Sequence, residues 1–350
     1  MTIRGDLRMI ERKGILDRLK DEIVLGDGGY LLALESRGYV QAGPFTPEVT
    51  IEHPNALRAI HEEFAHAGAE VLQVLTFYAS ENKLAQIGYA NRLGEINEAA
   101  VRIANEVAGK DILVAGNVCL TWKYEEDNKA AQDEVRALFE SQLQYQMEGG
   151  QIDFLIGETF LHVGEALIAV EVAKKYGLPV MATMAFEGPK TRDGKTPGEA
   201  AKILAGAGAD IVGTNCWQDP ERMTPVLEEM RAATDCYLAA QPVAYRCSHD
   251  IPYFTGQEGF PDRLDSYQID RYSMGEFAAR AKDIGTNYIG GCCGCQGAHI
   301  RQMARALGKR AEVYKDWTAD ESAPQSATEA YRQVRAGDRG DKAGPATAEL

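Results

Sequence analysis

The sequence predicts an α/β protein of the (β/α)8 TIM-barrel type, in a single domain followed by a C-terminal extension. Eight short, nearly continuous apolar runs alternate with eight segments that have helical apolar spacing. This alternation is typical of a parallel sheet covered by helices, and eight such units close a barrel. Several of the helical segments also end in glycine just before the next apolar run, where glycine in the left-handed conformation stops a helix.

The predicted elements follow one another from the first apolar run to the last helix. The strands cover residues 23–26, 71–77, 112–118, 154–158, 180–186, 211–216, 237–243 and 288–293. The helices cover residues 55–67, 93–108, 133–147, 164–175, 197–207, 220–233, 274–284 and 298–307. The glycines expected to end helices are Gly68, Gly150, Gly208 and Gly285. A doubly wound open sheet is the alternative, but no Gly-x-Gly-x-x-Gly motif follows the first strand.

The barrel is expected to span residues 1–308, and residues 309–350 are expected to form a partly disordered C-terminal arm. In the arm the apolar pattern fades, with one candidate helix at 328–335 and an expected disordered end at 338–350. Trp317 and Tyr331 could anchor this arm on a neighbouring subunit. We therefore expect a homo-oligomer, either a dimer or a tetramer.

Composition favours an enzyme that acts on small molecules. The formal net charge of −15 and the pI near 5.0 argue against binding to nucleic acid or to an anionic membrane. Residues 1–14 carry charges throughout and lack the apolar core of a signal peptide, and no run is long enough to span a bilayer. Seven cysteines without regular close spacing suit a reducing compartment. We expect a cytoplasmic protein.

Three cysteines predict a metal site. Residues 290–294 read Gly-Gly-Cys-Cys-Gly at the end of the last apolar run, and Cys216 closes the sixth run. Three thiolates that leave a fourth position free describe a zinc ion able to bind a substrate. A lone cysteine is more often a small core residue, our interpretation of Cys119, Cys236, Cys247 and Cys295. A disulfide between Cys292 and Cys293 is disfavoured, since neighbouring strand residues point to opposite faces.

Polar residues recur where the predicted strands end, which is the functional rim of a barrel. They are Asp27, which Gly28 and Gly29 follow, together with Gln73, Asn117, Glu158, Asn215 and Gln241. Each one alone is a common cap or turn residue; their convergence indicates a site. Two aromatic-bearing connections, 38–47 and 247–272, follow predicted strands. They indicate a lid or a subunit contact, or loops that pack on their own barrel.

Several motifs together resemble the zinc-dependent homocysteine S-methyltransferases. They are the Gly-Gly-Cys-Cys-Gly segment, Asn215-Cys216, Asp27-Gly28-Gly29, and the segments 33–39, 43–48, 76–81 and 241–245. The last four segments are most similar to the betaine-homocysteine S-methyltransferases. The resemblance covers roughly residues 14–307 and implies a zinc enzyme that transfers a methyl group from an onium donor, glycine betaine first of all, to homocysteine.

The resemblance also implies roles for individual residues. Cys216, Cys292 and Cys293 would bind Zn2+. The amino group and backbone of homocysteine would be held by Asp27, Gly28 and Glu158, with Gln73 and Gln241 lining the site. Tyr78 would lie near the metal and the donor, so the implied catalytic residues are Tyr78 and Glu158. The aromatic cage for the donor cation would consist of Phe45, Phe77, Tyr78 and Phe160.

Two departures from the betaine-enzyme pattern leave the donor open. Phe45 stands where a tryptophan is usual, and Thr159 stands where an aromatic residue is usual; Trp122 could supply the missing face. The alternatives are proline betaine, dimethylsulfoniopropionate or S-methylmethionine as donor, or a corrinoid-bound methyl group, although no carrier-binding segment is visible. A non-enzymatic zinc- or thiol-binding barrel is the alternative from a different class.

Overall fold

The structure, a computed structural model, describes residues 10–309, and these residues form the expected barrel of parallel strands. The strands are β1 Val24–Leu25, β2 Val71–Gln73, β3 Leu113–Cys119, β4 Phe154–Phe160, β5 Val180–Met184, β6 Ile211–Asn215, β7 Tyr237–Gln241 and β8 Tyr288–Ile289. The helices are α1 Ile15–Leu19, α2 Leu31–Ser36, α3 Val49–Glu52, α4 Pro54–Ala67, α5 Glu81–Leu84, α6 Leu93–Ala108, α7 Lys129–Gly149, α8 Val163–Lys174, α9 Pro197–Gly206, α10 Pro220–Ala233, α11 Arg271–Ile284 and α12 Gly297–Ala306. Short 3₁₀ helices cover Ala85–Ile87, Ala90–Arg92, Phe254–Gly256 and Asp265–Tyr267.

The barrel is closed at the seam between β1 and β2 by single hydrogen bonds. Each strand pairs in parallel with its neighbours in the order β1-β8-β7-β6-β5-β4-β3-β2. At the seam, the backbone N–H of Glu70 donates to the carbonyl oxygen of Leu25 at 2.8 Å. Further along, the backbone N–H of Gln73 donates to Oδ2 of Asp27 at 2.7 Å. A carboxylate therefore takes the place of a backbone acceptor at the C-terminal end of this seam.

Two strands end four residues earlier than expected, because the chain leaves the sheet to build the mouth of the barrel. The second strand ends at Gln73, and Thr76 then donates its N–H to the carbonyl of Val74 at 2.8 Å in a tight turn. The eighth ends at Ile289, after which Cys292 donates its N–H to the carbonyl of Pro242 at 2.9 Å. All eight predicted helices are present, and α1, α2, α3 and α5 were not predicted.

The interior of the barrel is filled by side chains that alternate along the strands. One buried cluster combines inward-facing residues of the strands with Ile15 and Leu19 of α1. These inward residues are Val24, Val71, Leu113, Ala115, Phe154, Ile156, Met181, Ile211, Ala239 and Tyr288. Since successive strand residues point to opposite faces, the alternate set packs between strands and helices in a larger cluster. The polar residues that follow the strands therefore lie at the C-terminal end of the barrel, beyond this apolar interior.

Three of the four helix-ending glycines have the expected left-handed backbone. Gly68, Gly208 and Gly285 have φ values of 110°, 96° and 93°. Gly150 is different, with φ 151° and ψ −161°, so the left-handed conformation was a wrong prediction at that position. The chain leaves α7 extended rather than turning back, a backbone conformation that glycine adopts most readily.

None of the helices between residues 10 and 309 is long and apolar enough to cross a membrane. The expected arm, with its candidate helix at 328–335, its end at 338–350 and the anchors Trp317 and Tyr331, lies outside the described residues.

Candidate active site

Glu158 lies buried near the C-terminal end of β4, where three side-chain amides donate to its carboxylate. It is 4% exposed. Its Oε1 accepts hydrogen bonds from the side-chain amides of Gln73 at 2.6 Å and Asn117 at 2.8 Å, and its Oε2 accepts one from Asn215 at 2.7 Å. Burial raises its pKa to about 7. Among residues 10–309 no lysine, arginine or histidine is ion-paired with it, so a cationic ligand would complete its environment.

Asp27, just beyond β1, is a second buried carboxylate of the same kind. It is 1% exposed and accepts hydrogen bonds from the hydroxyl of Tyr30 and the backbone N–H of Gln73. Burial raises the pKa of Asp27 to about 7. The same hydroxyl lies 3.0 Å from Nδ1 of His61, whose pKa burial lowers to about 3. The imidazole is therefore neutral near pH 7 and supplies no positive charge to Asp27.

The two carboxylates line a small inner cavity of about 80 Å³. The side-chain oxygens of Gln73 and Gln241, which also line it, are buried and have no hydrogen-bond donor within the described part of the chain. Buried acceptors without donors are costly. Two carboxylates and two amide oxygens together form a site suited to a primary ammonium group. The lining consists of Asp27, Gly28, Gly29, Tyr30, Leu31, Gln73, Val74, Leu75, Phe77, Glu158, Cys216, Gln241, Gly291, Cys292 and Cys293.

The thiols of Cys216, Cys292 and Cys293 come together at the mouth of the inner cavity. Their sulfur atoms all lie within 4.8 Å of one another, and those of Cys216 and Cys293 are 3.7 Å apart. A tetrahedral zinc ion about 2.3 Å from each sulfur holds them about 3.8 Å apart. The spacing of the three sulfurs therefore fits a metal ion. Burial, reinforced by the neighbouring Cys293 thiol, raises the pKa of Cys216 well above its usual range, so a bound cation would be needed to keep this thiol ionised.

Two glycines allow the loop after β1 to pack against the cysteine loop. A Cβ atom on Gly29 would lie 2.6 Å from the carbonyl oxygen of Cys292 and 3.0 Å from the Cα of Cys293. A Cβ atom on Gly28 would lie 2.6 Å from the carbonyl oxygen of Cys295. Both distances are too short for any side chain. The Asp-Gly-Gly sequence thus places Asp27 and the cysteines in one site, rather than forming only an ordinary turn.

An aromatic outer cavity of about 360 Å³ lies on the other side of the cysteines. Its lining residues are Leu31, Leu32, Gly43, Phe45, Phe77, Tyr78, Lys83, Trp122, Thr159, Cys216, Trp217, Phe254, Thr255, Phe260 and Cys293. Leu31, Phe77, Cys216 and Cys293 line both cavities. The two cavities therefore meet at the thiols, one polar and one aromatic.

The backbone around the outer cavity is strained in a way found nowhere else between residues 10 and 309. Six non-glycine residues have positive φ values between 50° and 62°, and all six line this cavity. They are Phe45, Tyr78, Trp122, Thr159, Cys216 and Trp217. A left-handed conformation costs on the order of 1 kcal/mol or more for such residues. Backbone strain concentrated around one cavity is typical of a functional site.

The two aromatic-bearing connections contribute to the lining of the outer cavity. Phe45 from residues 38–47 packs against Phe260 from residues 247–272, with ring centres 6.1 Å apart. Trp122 donates its indole N–H to the hydroxyl of Tyr78 at 2.7 Å. Both connections thus line the outer cavity, and Trp122 lines the same cavity.

Phe160 does not belong to the cage, contrary to the expectation. The register between β4 and β5 shifts between Gly157 and Phe160, where Thr159 has φ 62°. The irregularity reverses the alternation of side chains, so Thr159 lines the cavity while Phe160 is fully buried against Phe139. The other residues expected to contact substrate or metal all line one of the two cavities.

Three of the site residues that sequence reasoning missed have a phenol, ammonium or indole group. Tyr30 holds Asp27, while Lys83 and Trp217 line the outer cavity. Trp217 directly follows a predicted metal ligand, and that adjacency was a usable signal. Lys83 lies in a four-residue helix, α5, and one charged residue in a polar stretch carries no signal of burial.

Comparison with known proteins shows which family the chain belongs to. A family model described as homocysteine S-methyltransferase matches residues 24–307. Betaine–homocysteine S-methyltransferase 1 of Rattus norvegicus is 43% identical over 311 residues, which cover 85% of this chain and 75% of the relative. S-methylmethionine–homocysteine S-methyltransferase of Pongo abelii is 41% identical over 311 residues, covering 85% of this chain and 82% of the relative.

A solved structure supports the fold. The metallated form of the homocysteine methyltransferase MmuM from Escherichia coli has a TM-score of 0.66 and 20% identity, covering 82% of this chain and 96% of the other. The family match extends over most of the chain and includes both carboxylates and all three clustered cysteines. The chain therefore belongs to the homocysteine S-methyltransferase family and is a methyltransferase, which sets aside the non-enzymatic alternative.

Proposed function

We propose that this enzyme transfers a methyl group from an onium donor to the sulfur of homocysteine, giving methionine. One observation carries the proposal: a carboxylate-lined cavity and an aromatic cavity meet at a cluster of three thiols. An amino-acid thiol in the inner cavity would present its sulfur at that junction. A methylated cation in the outer cavity would present its methyl group to the same point.

Cys216, Cys292 and Cys293 would hold a zinc ion. Their sulfur spacing, with 3.7 Å between Cys216 and Cys293, fits tetrahedral thiolate coordination with one position left for a ligand. When bound, such an ion lowers the pKa of a thiol ligand, so that the homocysteine sulfur stays ionised near neutral pH. This set of ligands supports zinc rather than magnesium or calcium, which prefer oxygen.

Homocysteine would be oriented by its amino group. Asp27 and Glu158 are two buried carboxyl groups that would accept hydrogen bonds from the ammonium, and the oxygens of Gln73 and Gln241, which have no donor among the described residues, add further acceptors. These contacts would leave the thiol as the free end of the molecule. The inner cavity would therefore select an α-amino thiol over a simple thiol.

The donor would be held by aromatic faces, which attract a methylated cation through their quadrupoles. During transfer, the sulfur electron pair forms the new S–CH₃ bond while the bond from carbon to the onium centre breaks and leaves its electrons there. A neutral amine or sulfide departs, so no general base is required. Burial raises the pKa of Tyr78, so its hydroxyl would stay protonated and act by positioning rather than by proton transfer. The main task of the residues is to hold the sulfur and the methyl group in line.

A larger donor than glycine betaine is a second candidate. Thr159 gives the outer cavity a small side chain at a position where the betaine enzymes are expected to carry an aromatic one. A relative at 41% identity is named for S-methylmethionine. Proline betaine, dimethylsulfoniopropionate and a corrinoid-bound methyl group remain alternatives, which the same experiment separates.

The test is to incubate zinc-loaded protein with homocysteine and each donor in turn, then measure methionine. Glycine betaine, proline betaine, S-methylmethionine and dimethylsulfoniopropionate are the onium compounds to test, with methylcobalamin as the corrinoid-bound methyl donor. Methionine from at least one onium donor supports the proposal. Methionine from methylcobalamin alone, or from no donor, would overturn it.

Three further features belong to the proposal. The barrel domain would end near residue 308, with residues 309–350 as an arm. The protein would be a cytoplasmic homo-oligomer, either a dimer or a tetramer. Light scattering on the full chain and on a chain ending at residue 309 would measure the assembly and whether the arm contributes to it.

A further inference from the structure

Lys83 places an ammonium group inside the aromatic outer cavity. It belongs to α5, is only 8% exposed as a residue, and lines the cavity. Its Nζ lies 4.2 Å from the centre of the Tyr78 ring. Among residues 10–309, no carboxylate lies within ion-pairing distance of this ammonium. Lys83 thus contributes a positive charge to the cavity that no carboxylate in the described part of the chain balances.

The surroundings make this charge costly. Burial lowers the pKa of Lys83, as expected for an ammonium removed from water. Cys119 is the nearby group that could offset the charge, but burial raises the pKa of that thiol well above its usual range, which leaves it neutral. A resident cation also repels a purely cationic donor in the same cavity. Such an arrangement is favourable only when the ligand brings a negative charge to Lys83.

Lys83 is held in place by its neighbours in the chain. The side-chain amide of Asn82 donates to the carbonyl oxygen of Thr121 at 2.9 Å, and Ser80 donates its hydroxyl to Asn82 at 2.8 Å. These bonds tie α5 to the loop that carries Trp122, another wall of the cavity. The backbone that carries Lys83 is therefore anchored, so only the lysine side chain itself has to be ordered when the ammonium binds an anion.

We propose that Lys83 binds the carboxylate of the methyl donor, and that the outer cavity selects donors carrying an onium group and a carboxylate in one molecule. This inference rests on the proposed function. The aromatic faces would hold the onium end, with its methyl group toward Cys216 and Cys293, while Lys83 holds the opposite end. Two charged contacts of opposite sign allow only one orientation of the donor. Donors without an anionic end would lose the second contact and gain a repulsion.

The test compares matched ligands on three variants. Lys83→Met removes the charge and keeps much of the length, Lys83→Arg keeps the charge, and Lys129→Met removes a charge from an exposed surface lysine. Binding of glycine betaine, choline and tetramethylammonium is followed by the tryptophan fluorescence of the zinc-loaded protein without homocysteine, so that no methyl transfer occurs during the titration. Lys83→Gln serves as a second neutral variant should Lys83→Met fail to fold.

Lys83→Met is expected to weaken glycine betaine binding about 10- to 100-fold, and to leave choline and tetramethylammonium binding unchanged or tighter. Lys83→Arg should retain most of the affinity, and Lys129→Met all of it. An equal change for all three ligands, or a wild-type protein with no preference for glycine betaine over choline, would overturn the inference. Methionine formation is measured separately. Its absence with every onium donor refutes the proposed function, whereas unchanged donor selectivity in an active Lys83→Met enzyme refutes only the role of Lys83.

Discussion

Gln73 donates its side-chain amide to Oε1 of Glu158 at a distance of 2.6 Å. The backbone N–H of the same residue donates to Asp27 at 2.7 Å. One residue of β2 therefore holds two carboxylates at a fixed separation: that of Asp27, just beyond β1, and that of Glu158, in β4. Both carboxylates are buried, and neither has a protein cation as partner within residues 10–309. The same pKa shifts therefore affect both the stability of the protein and its affinity for a cationic ligand.

Replacing Cys292 with serine should abolish metal binding. A hydroxyl is a much poorer zinc ligand than a thiolate, so zinc content should fall from about one ion per chain to near zero, and methionine formation should stop. Circular dichroism should remain that of the folded barrel, because the site lies on its rim. Cys236→Ser is the matched control, since Cys236 precedes β7 at the opposite end. A metal-depleted Cys292→Ser enzyme with full activity would contradict the assignment.

Gly29→Ala should weaken metal binding although it changes no ligand. The added methyl group would lie 2.6 Å from the carbonyl oxygen of Cys292, so the cysteine loop must move. Zinc affinity should fall about 10- to 100-fold, as for other changes that misplace ligands. Competition with a chromogenic chelator measures this. Gly206→Ala is the control, because its Cβ would have no neighbour within 4 Å; equal zinc affinity in the two variants would refute the packing argument.

Glu158→Ala should raise the KM for homocysteine much more than the KM for the donor. The carboxylate lines only the inner cavity, and a lost charged contact corresponds to about 10- to 100-fold in affinity. Steady-state kinetics with each substrate varied in turn give both values. Three amide donors lose their acceptor, so thermal unfolding should also occur at lower temperature. A change in the donor KM alone would place Glu158 on the other side of the site.

The affinity for the product should increase with pH up to about 7. Burial raises the pKa of Asp27 and of Glu158 to about 7. Below that value, an incoming ammonium must displace a proton from each carboxylate. The affinity for L-methionine, which has no thiol, should therefore fall about tenfold per pH unit for each carboxylate. Titration calorimetry on metal-free protein between pH 5.5 and 8.5 measures it.

The same shifts affect stability with the opposite sign. Because the folded pKa of each carboxylate lies above its unfolded value, the native state binds more protons between about pH 4 and 7. Ligand-free protein should lose stability as pH rises through that window, and Asp27→Asn should show a smaller loss. A pH-independent affinity for L-methionine together with an unchanged pH profile in Asp27→Asn would contradict these pKa shifts.

Much of the site was predictable because its residues follow apolar runs directly. Asp27, Glu158 and Cys216 each end or closely follow a predicted strand, and the barrel topology alone brings such positions to one rim. The second and eighth strands were predicted too long because the apolar residues continue beyond β2 and β8 into the mouth of the barrel. These residues resemble a strand in composition, and only their backbone hydrogen bonds distinguish them from one.

The sequence by itself determined the barrel, the three cysteines and the two carboxylates. Apolar periodicity and glycine placement are local signals, and the barrel topology then brings the ends of the strands to one rim. Only the tertiary structure decided that Thr159 rather than Phe160 faces the donor cavity, because that depends on a shift of register between two strands. It also decided that Lys83 is buried without an anionic partner among the described residues. Whether a charge is compensated depends on every element that packs around it, and no local pattern records that.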